Sequence, residues 1–511
     1  MSSQNYLIDT NVFIDLESDR KVNAEIAAFL ALANKHGVGV FVHESAKDDI
    51  RRDQDKTRRE ISLSKISKFQ TIKKQRGLKD EHLSNQFGPL NKDNDIVDAI
   101  HLHALETGAA DFLITEDRKL HSRARQYAPH LSRRVLFIAD AASLLVSTYE
   151  PVEVPIRYVE EVTAHEIPLN DEIFDSLREG YEGFDTWWKE KCVAKHRKCW
   201  VVDDGGLAGL IVRKDEKDSD TDATLAGKKI LKICTFKVRP EKRGLKIGEL
   251  LLRQALWFAQ SNNYDVVYLT TKIEQRALIE LLEYYGFRHT TTQGEDELVY
   301  EKKMSSAAVP LETGDNLYEV AKREYPRFYV GEQVKSYVIP IKEEYHDTLF
   351  PELKDDPQGD LLASAGITGG PKRPGNTIRK VYLCQAQANL LQPGAIIFFY
   401  KSSSTLKPSQ AITTIGIFED MQRATSTTEL MRLTGGRSVY SEAELKSWNA
   451  TPARPVKVIN FLLTGYAVPP VPLKTLISEG IFASRPPQSI KTLEHSQLRA
   501  LLSQIDLGFK T

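Results

Sequence analysis

The stretch Ile233–Gly248, ICTFKVRPEKRGLKIG, together with the apolar pattern after it, decides how the centre of this chain folds. Leu231 and Ile233 alternate with Lys232, Cys234, Phe236 and Val238 at a period of two, so a strand is expected up to about Val238. Pro240 ends it. A basic, glycine-bearing loop follows (Lys242, Arg243, Gly244, Lys246, Gly248), and Glu249–Gln260, ELLLRQALWFAQ, reads as a helix buried on most sides. Strand, basic glycine loop and helix together present free backbone N–H groups and the positive end of a helix dipole. A phosphate-bearing ligand is the expectation that follows.

The wording of the loop is more specific than its shape. VRPEKRGLKIG resembles the pyrophosphate-binding loop of the GNAT acetyltransferases, V-x-P-x-x-R-G-x-G-I-G, with Val238, Pro240, Arg243, Gly244, Ile247 and Gly248 in matching positions. Downstream, Val266–Thr270 is similar to the family's next strand, Glu274–Tyr285 to its helix and Gly286-Phe287 to the pair that ends it. The resemblance covers about Val154–Met304. It implies a mixed sheet flanked by helices that binds acetyl-CoA through Phe236, Val238, Arg243, Gly244, Leu245, Lys246, Ile247 and Gly248. Two positions depart from the pattern. Lys246 stands where a glycine is usual; if the position needs a positive φ, lysine costs on the order of 1 kcal/mol, which its ammonium could offset by meeting phosphate. Leu282 stands where many members carry a tyrosine that protonates the departing thiolate. Tyr284 and Tyr285 are near in sequence but turn roughly 200° and 300° away from Leu282 at about 100° per residue. The loop therefore reads as a binder, while turnover, the general base and the acyl acceptor stay open.

With 511 residues, three domains are a fair expectation: 1–150, 151–304, a linker at 305–329, and 330–511. A hydrophobic content of 41%, a charged content of 27% and a net charge of −1 describe an ordinary soluble chain and exclude a globally basic nucleic-acid coat. Cys192, Cys199, Cys234 and Cys384 are too few for a disulfide framework, and Cys192, His196 and Cys199 lack the further ligands of a zinc site. No apolar run reaches membrane-spanning length, and the N-terminus lacks the order of a signal peptide. A cytoplasmic protein without a membrane partner is expected, of unspecified oligomeric state.

At the N-terminus short apolar strands alternate with helices, and several end in an acid. Tyr6–Ile8 runs into Asp9, Val38–Val42 ends beside Glu44, and Asp111–Asp117 ends in Asp117. Asp95 and Asp98 share one face of the helix Asp95–Leu105. This is the pattern of a parallel α/β sheet with carboxylates gathered at one edge. Such a cluster repels itself unless a cation neutralises it, and oxygen ligands suit Mg²⁺ or Mn²⁺, which can act on a phosphodiester. LIDTNVFIDL, VFVHES, DAIHLHA and LITEDRKL resemble the motifs of the PIN-domain ribonucleases over about Met1–Glu150. By that resemblance Asp9, Glu44, Asp98 and Asp117 match the family's four catalytic, metal-binding acids, with Asp95 an added metal ligand. Thr10 and Asn11 are expected to orient Asp9, and Thr115 to orient Asp117. The charged segment Lys47–Lys79 reads as largely helical, either a solvated pair or an electrostatic arm for phosphate.

Thr148–Pro155 reads as a hinge, and Asp215–Thr224 as an exposed polar loop. Beyond about Ser305 the chain turns rich in β-branched residues, Pro and Gly. Strands are expected at Tyr337–Ile341, Ile378–Leu383, Ala395–Tyr400, Ala411–Glu419 and Val456–Leu462, with an excursion at Asp355–Pro374. PGAIIFFY (Pro393–Tyr400) and IPIKEEYHDTLF resemble the PUA-like barrels of the ASCH or EVE kind. The motif G-x-K-x-x-E-x-R is not intact at Gly375–Tyr382, where Thr377 and Lys380 replace its Lys and Glu. The resemblance implies a small β-barrel that binds nucleotides or RNA; a purely structural barrel is the alternative.

Together these readings give an α/β multidomain chain that joins a metal-dependent ribonuclease to an acetyl-CoA-binding N-acetyltransferase and a nucleic-acid-binding barrel. RNA is the expected partner, with room for an inhibitory protein that masks the acids. Two rivals stay open. One is a regulatory acyl-CoA- and RNA-binding protein with an inactive acetyltransferase site; the other is a protein or small-molecule acetyltransferase whose N-terminal domain only scaffolds.

Overall fold

A computed structural model describes residues 4–9, 11–14, 20–51, 56–74, 78–149, 159–244, 246–294, 296–353, 378–386, 392–402, 409–434 and 442–511. Leu245, Thr10, the excursion at 355–374 and most of the hinge at 148–155 lie outside them.

The N-terminal sheet is built from β1 (Asn5–Ile8), β2 (Gly39–His43), β3 (Gln70–Ile72), β4 (Phe112–Ile114) and β5 (Val135–Leu136), in the order β3-β2-β1-β4-β5. Every pairing is parallel. Its central strands carry Tyr6, Leu7, Ile8, Phe112, Leu113 and Ile114, all fully buried, because helices cover both faces of a parallel sheet. The helices used below are α1 (Arg20–Lys35), α2 (Asp93–Glu106), α3 (Arg118–Tyr127) and α4 (Ile138–Tyr149). The charged segment corrects one expectation: after the helix Lys56–Ile66 it supplies β3, an edge strand that pairs Phe41 with Gln70 and His43 with Ile72.

The central sheet runs β11-β12-β10-β9-β8-β7-β6, with β6 (Glu160–Thr163), β7 (Lys198–Asp203), β8 (Leu207–Glu216), β9 (Ile230–Val238), β10 (Val266–Lys272), β11 (Arg288–Gln293) and β12 (Glu297–Lys303). It is antiparallel except between β9 and β10. Helix α5 (Ile247–Ser261) buries Ile247, Leu250, Leu251, Leu252, Ala255, Leu256 and Ala259, and α6 (Arg276–Tyr284) buries Ile279 and Leu282. The apolar spacing fixes that packing. All four cysteines are free.

The C-terminal sheet comprises β13 (Ser336–Ile341), β14 (Arg379–Cys384), β15 (Ile396–Lys401), β16 (Ala411–Ala424), β17 (Val456–Pro472) and β18 (Lys491–Leu493), in the order β14-β17-β16-β15-β13-β18. The expected strands are all present. Among the described residues no pairing joins β14 to β18, the two edges of this sheet. Three register shifts between β16 and β17 bend these long strands.

The expected linker at 305–329 is not one. It contains α7 (Leu317–Glu324) and buries Tyr318, Val320, Ala321, Tyr325 and Phe328. One continuous apolar core runs from Leu256 of α5 and Tyr285 at the end of α6 through Tyr325 to Ile396, Phe398 and Leu498. Trp257 Nε1 donates to Tyr325 Oη at 2.8 Å, and that hydroxyl donates to the Leu463 carbonyl at 2.9 Å. No helix among the described residues is long and apolar enough to cross a membrane.

Candidate functional site

Strands β9 and β10 pair from Val266↔Ile230 to Leu269↔Ile233 and then part. Beyond that point β9 continues to Val238, held on its other side by β8 through Val212↔Thr235, Ile211↔Phe236 and Gly209↔Val238. The edge of β9 that faces β10 is left open there, with main-chain groups available to an extended ligand.

The loop after β9 turns twice through left-handed backbone. Gly244 has φ 77°, and Lys246 has φ 61° and ψ 18°, immediately before α5. Lys246 thus occupies a position of the kind glycine favours. The first amides of α5, at Ile247 and Gly248, have no carbonyl of their own helix to bond. A Cβ on Gly248 would meet only Leu281 Cδ2 at 3.7 Å and Val238 Cγ2 at 3.8 Å, so this Cα faces a gap between β9 and α6.

That gap opens into a cleft of about 770 Å³. Phe236, Val238, Arg243, Gly244, Lys246, Ile247 and Gly248 all line it, which is every expected cofactor-binding residue within the described chain. The size lies within the usual range for small-molecule sites. On α6 the lining residues are Arg276, Ala277, Leu278, Glu280, Leu281 and Tyr284, whereas Leu282 is buried in the core. The hydroxyl on this helix that belongs to the cleft is therefore that of Tyr284, although it is not at the position of the family tyrosine.

All three domains wall the cleft. The N-terminal domain contributes Glu25, Glu116, His121, Arg125, Phe137 and Asp140, and the C-terminal one Arg379 and Glu419. Helix α3 is tied to α6 by Arg118–Glu283 at 2.7 Å, Arg125–Glu280, and His121 Nδ1 3.9 Å from Glu280. Arg379 donates its amide to Glu249 Oε1 at 2.8 Å, and its guanidinium lies 4.6 Å from the ring centre of Tyr284. Tyr284 and Tyr318 share a hydrogen bond of 3.1 Å, and Arg133 pairs with Glu419. Burial and the neighbouring Glu249 push the Tyr285 phenol well up. Burial raises Glu116 to about 7, with the carboxylates of Glu25 and Asp140 adding to the shift.

The N-terminal acids assemble less completely. Asp9 follows β1 and is 5% exposed; its Oδ2 accepts from Thr115 Oγ1 at 2.7 Å, and its Oδ1 lies 3.6 Å from His101 Nδ1. Thr115 is the hub. Its hydroxyl also accepts from Asn11 Nδ2 at 3.0 Å and from the Asp117 amide at 3.1 Å. Asn11 therefore reaches Asp9 through Thr115. Burial, and then the carboxylates of Asp9 and Asp117, push Asp98 up to about 8. These three acids feel one another.

The other two expected ligands are held elsewhere. Glu44 begins the helix Glu44–Arg51 and accepts the Lys74 amide at 3.1 Å. Asp95 accepts the amides of Asn91 and Lys92, each at 2.9 Å, and pairs with Arg123 at 2.7 Å, so it caps α2. Asp117 Oδ1 accepts from the Lys119 amide at 2.7 Å, capping α3. Among the described residues, no three His, Cys, Asp or Glu side chains stand close enough together to hold a metal ion. The set Asp9, Glu44, Asp95, Asp98 and Asp117 is thus not a ready metal site. Local amides win Asp95 and Asp117 because capping needs no second segment to arrive, whereas Glu44 is taken by the amide of Lys74 on another segment. Two residues were missed from the sequence. Buried His101 lies one turn after Asp98, and Arg123 reaches both Asp95 and, at 3.9 Å, Asp98. The spacing within DAIHLHA was the available signal for His101.

Residues 162–287 match the model of the acetyltransferase (GNAT) family. None of the curated proteins matches the chain significantly. Among solved structures, ASCH from Zymomonas mobilis is similar at 18% identity, over 34% of this chain and 96% of that one, with a TM-score of 0.22. An IAA acetyltransferase from Bacillus cereus is 16% identical, over 29% and 99%, with a TM-score of 0.23. The PaiA N-acetyltransferase from Thermoplasma acidophilum, solved with coenzyme A, is 17% identical, over 29% and 98%, with a TM-score of 0.23.

Proposed function

We infer that the cleft beside the glycine loop binds acetyl-CoA and that the central domain transfers the acetyl group to an amine. The observation that carries this reading is the parting of β9 from β10 directly ahead of a left-handed loop and a helix start. The residues present fit such a ligand. The amides of Ile247 and Gly248, with Arg243 and Lys246 beside them, would hold a pyrophosphate, and the open edge of Thr235–Val238 would pair with the amides of a pantetheine arm. Bound acetyl-CoA supplies an activated thioester. The chain supplies position, exclusion of water by three domains, and a proton on Tyr284 Oη at the cleft wall. Calorimetric titration of acetyl-CoA, followed by thiol release with a panel of primary amines, tests the reading. No binding at millimolar acetyl-CoA would sink it; binding without thiol release from any amine would favour the regulatory alternative.

A second reading concerns the N-terminal domain: metal-dependent cleavage of RNA, with the C-terminal sheet as a nucleic-acid contact. The raised Asp98, pressed by Asp9 and Asp117, favours it, since a cation would relieve that repulsion. The arrangement of Glu44 and Asp95 supplies no ready ligand set, so no chemical step is assigned to a metal. Metal-dependent RNA cleavage that survives in Asp9→Asn would remove this reading.

A further inference from the structure

The glycine loop faces the N-terminal domain. A Cβ built on Gly244 would come within 2.2 Å of the Ala139 carbonyl oxygen, so the first turn of α4 rests directly on the loop. From that turn Asp140 Oδ1 reaches Lys246 Nζ at 2.5 Å, and from α1 Glu25 Oε1 reaches Arg243 Nη1 at 3.4 Å. Both cations belong to the stretch assigned above to a pyrophosphate, and both acids line the same cleft. Carboxylate and phosphate oxygens make the same charge-assisted bonds to ammonium and guanidinium groups, so each can displace the other.

We propose that Glu25 and Asp140 are an internal counter-anion for the loop, holding its cations until the pyrophosphate of an acyl-CoA displaces them. Docking of the N-terminal domain then sets the acyl-CoA affinity of the central one. This rests on the acyl-CoA reading of the cleft. Linkage makes the effect reciprocal: acyl-CoA loosens α4 from the loop by the factor by which α4 weakens acyl-CoA.

The test is calorimetric titration of CoA into the full chain carrying Glu25→Gln, Asp140→Asn or both. The double variant is expected to bind about tenfold tighter than the natural chain, with the singles between. Asp140→Glu, which keeps the charge, stays at the natural affinity, and pantetheine, which has no diphosphate, binds all of them alike. CoA affinity that is unchanged or weaker in the double variant overturns the proposal. Should a substitution lower the melting midpoint, a second measurement uses the natural chain. Inorganic pyrophosphate is expected to speed amide exchange over residues 137–143, and unaltered exchange at saturating pyrophosphate counts against the proposal. CoA that binds none of these proteins removes the acyl-CoA reading and the competition with it, a result distinct from CoA binding them all equally.

Discussion

The loop around Gly244 takes its shape from its own backbone, whereas the carboxylates of Asp9, Asp98 and Asp117 depend on three separate elements meeting. At the loop, two left-handed residues and a helix start fix where the amides point before any ligand arrives. At the acids, like charges push apart, and nearby partners compete for each oxygen: Thr115 takes Asp9, the Lys119 amide takes Asp117, and Arg123 takes Asp95. An anion site made of main chain is ready when folded. A cluster of anions stays under its own repulsion until a cation or a proton offsets it.

Gly248→Trp probes the ready site hardest. An indole there would fill the gap between Val238 and Leu281, and acetyl-CoA affinity is expected to drop by about 100-fold or more, while Gly248→Ala costs little; titration calorimetry checks both. Asp9→Asn should remove metal-dependent RNA cleavage by about 100-fold or more and leave acetyl-CoA affinity within about twofold. Were both activities to fall together, the two sites would not be separable.

The acid cluster has its own signature in pH. Asp98 is raised from 3.8 to about 8, so between those values the folded chain holds a proton that the unfolded chain has lost. Stability is then expected to fall as pH rises through that window. In metal-free buffer Asp98→Asn should raise the unfolding free energy at pH 8 by an amount on the order of a few kcal/mol, and change little at pH 4, as read by denaturant titration. A flat difference across the window would mean that the cluster is not strained.

Two smaller effects refine the loop side. Tyr284→Phe is expected to lower acetyl transfer by about tenfold at saturating acetyl-CoA with affinity unchanged, read as kcat against binding. Lys246→Gly relieves left-handed strain of about 1 kcal/mol and loses the pair with Asp140, so the thermal midpoint should move by less than about 2 °C.

How legible each site was follows from the same contrast. The loop could be read almost residue by residue, since strand, turn and helix lie within one run of chain. Asp9 and Asp98 could be placed on their elements, whereas Asp117, expected to end a strand, lies beyond Ile114 and caps α3. The capture of Glu44 by the amide of Lys74 and of Asp95 by its own helix end could not, because amides near and far compete with the cluster on terms that no spacing records. On α6 the sequence singles out Leu282, whereas the residues that line the cleft are Arg276, Ala277, Leu278, Glu280, Leu281 and Tyr284. Strand β3 was hidden in a charged segment because an edge strand needs few apolar residues. Segment 305–329 looked like a connector because Pro and Gly surround it, but Tyr318, Tyr325 and Phe328 fill space between two sheets. The seat of α4 on the loop joins residues more than a hundred apart, and nothing local announces it.

The apolar core shared across Tyr325 has a practical meaning for anyone wishing to take the chain apart. A fragment stopped after Met304 would leave Trp257, Leu256 and Tyr285 without their cover and should precipitate. A piece meant to carry the cleft is therefore expected to need the C-terminal sheet as well. Because the central and C-terminal domains share that core, they are expected to melt in one transition.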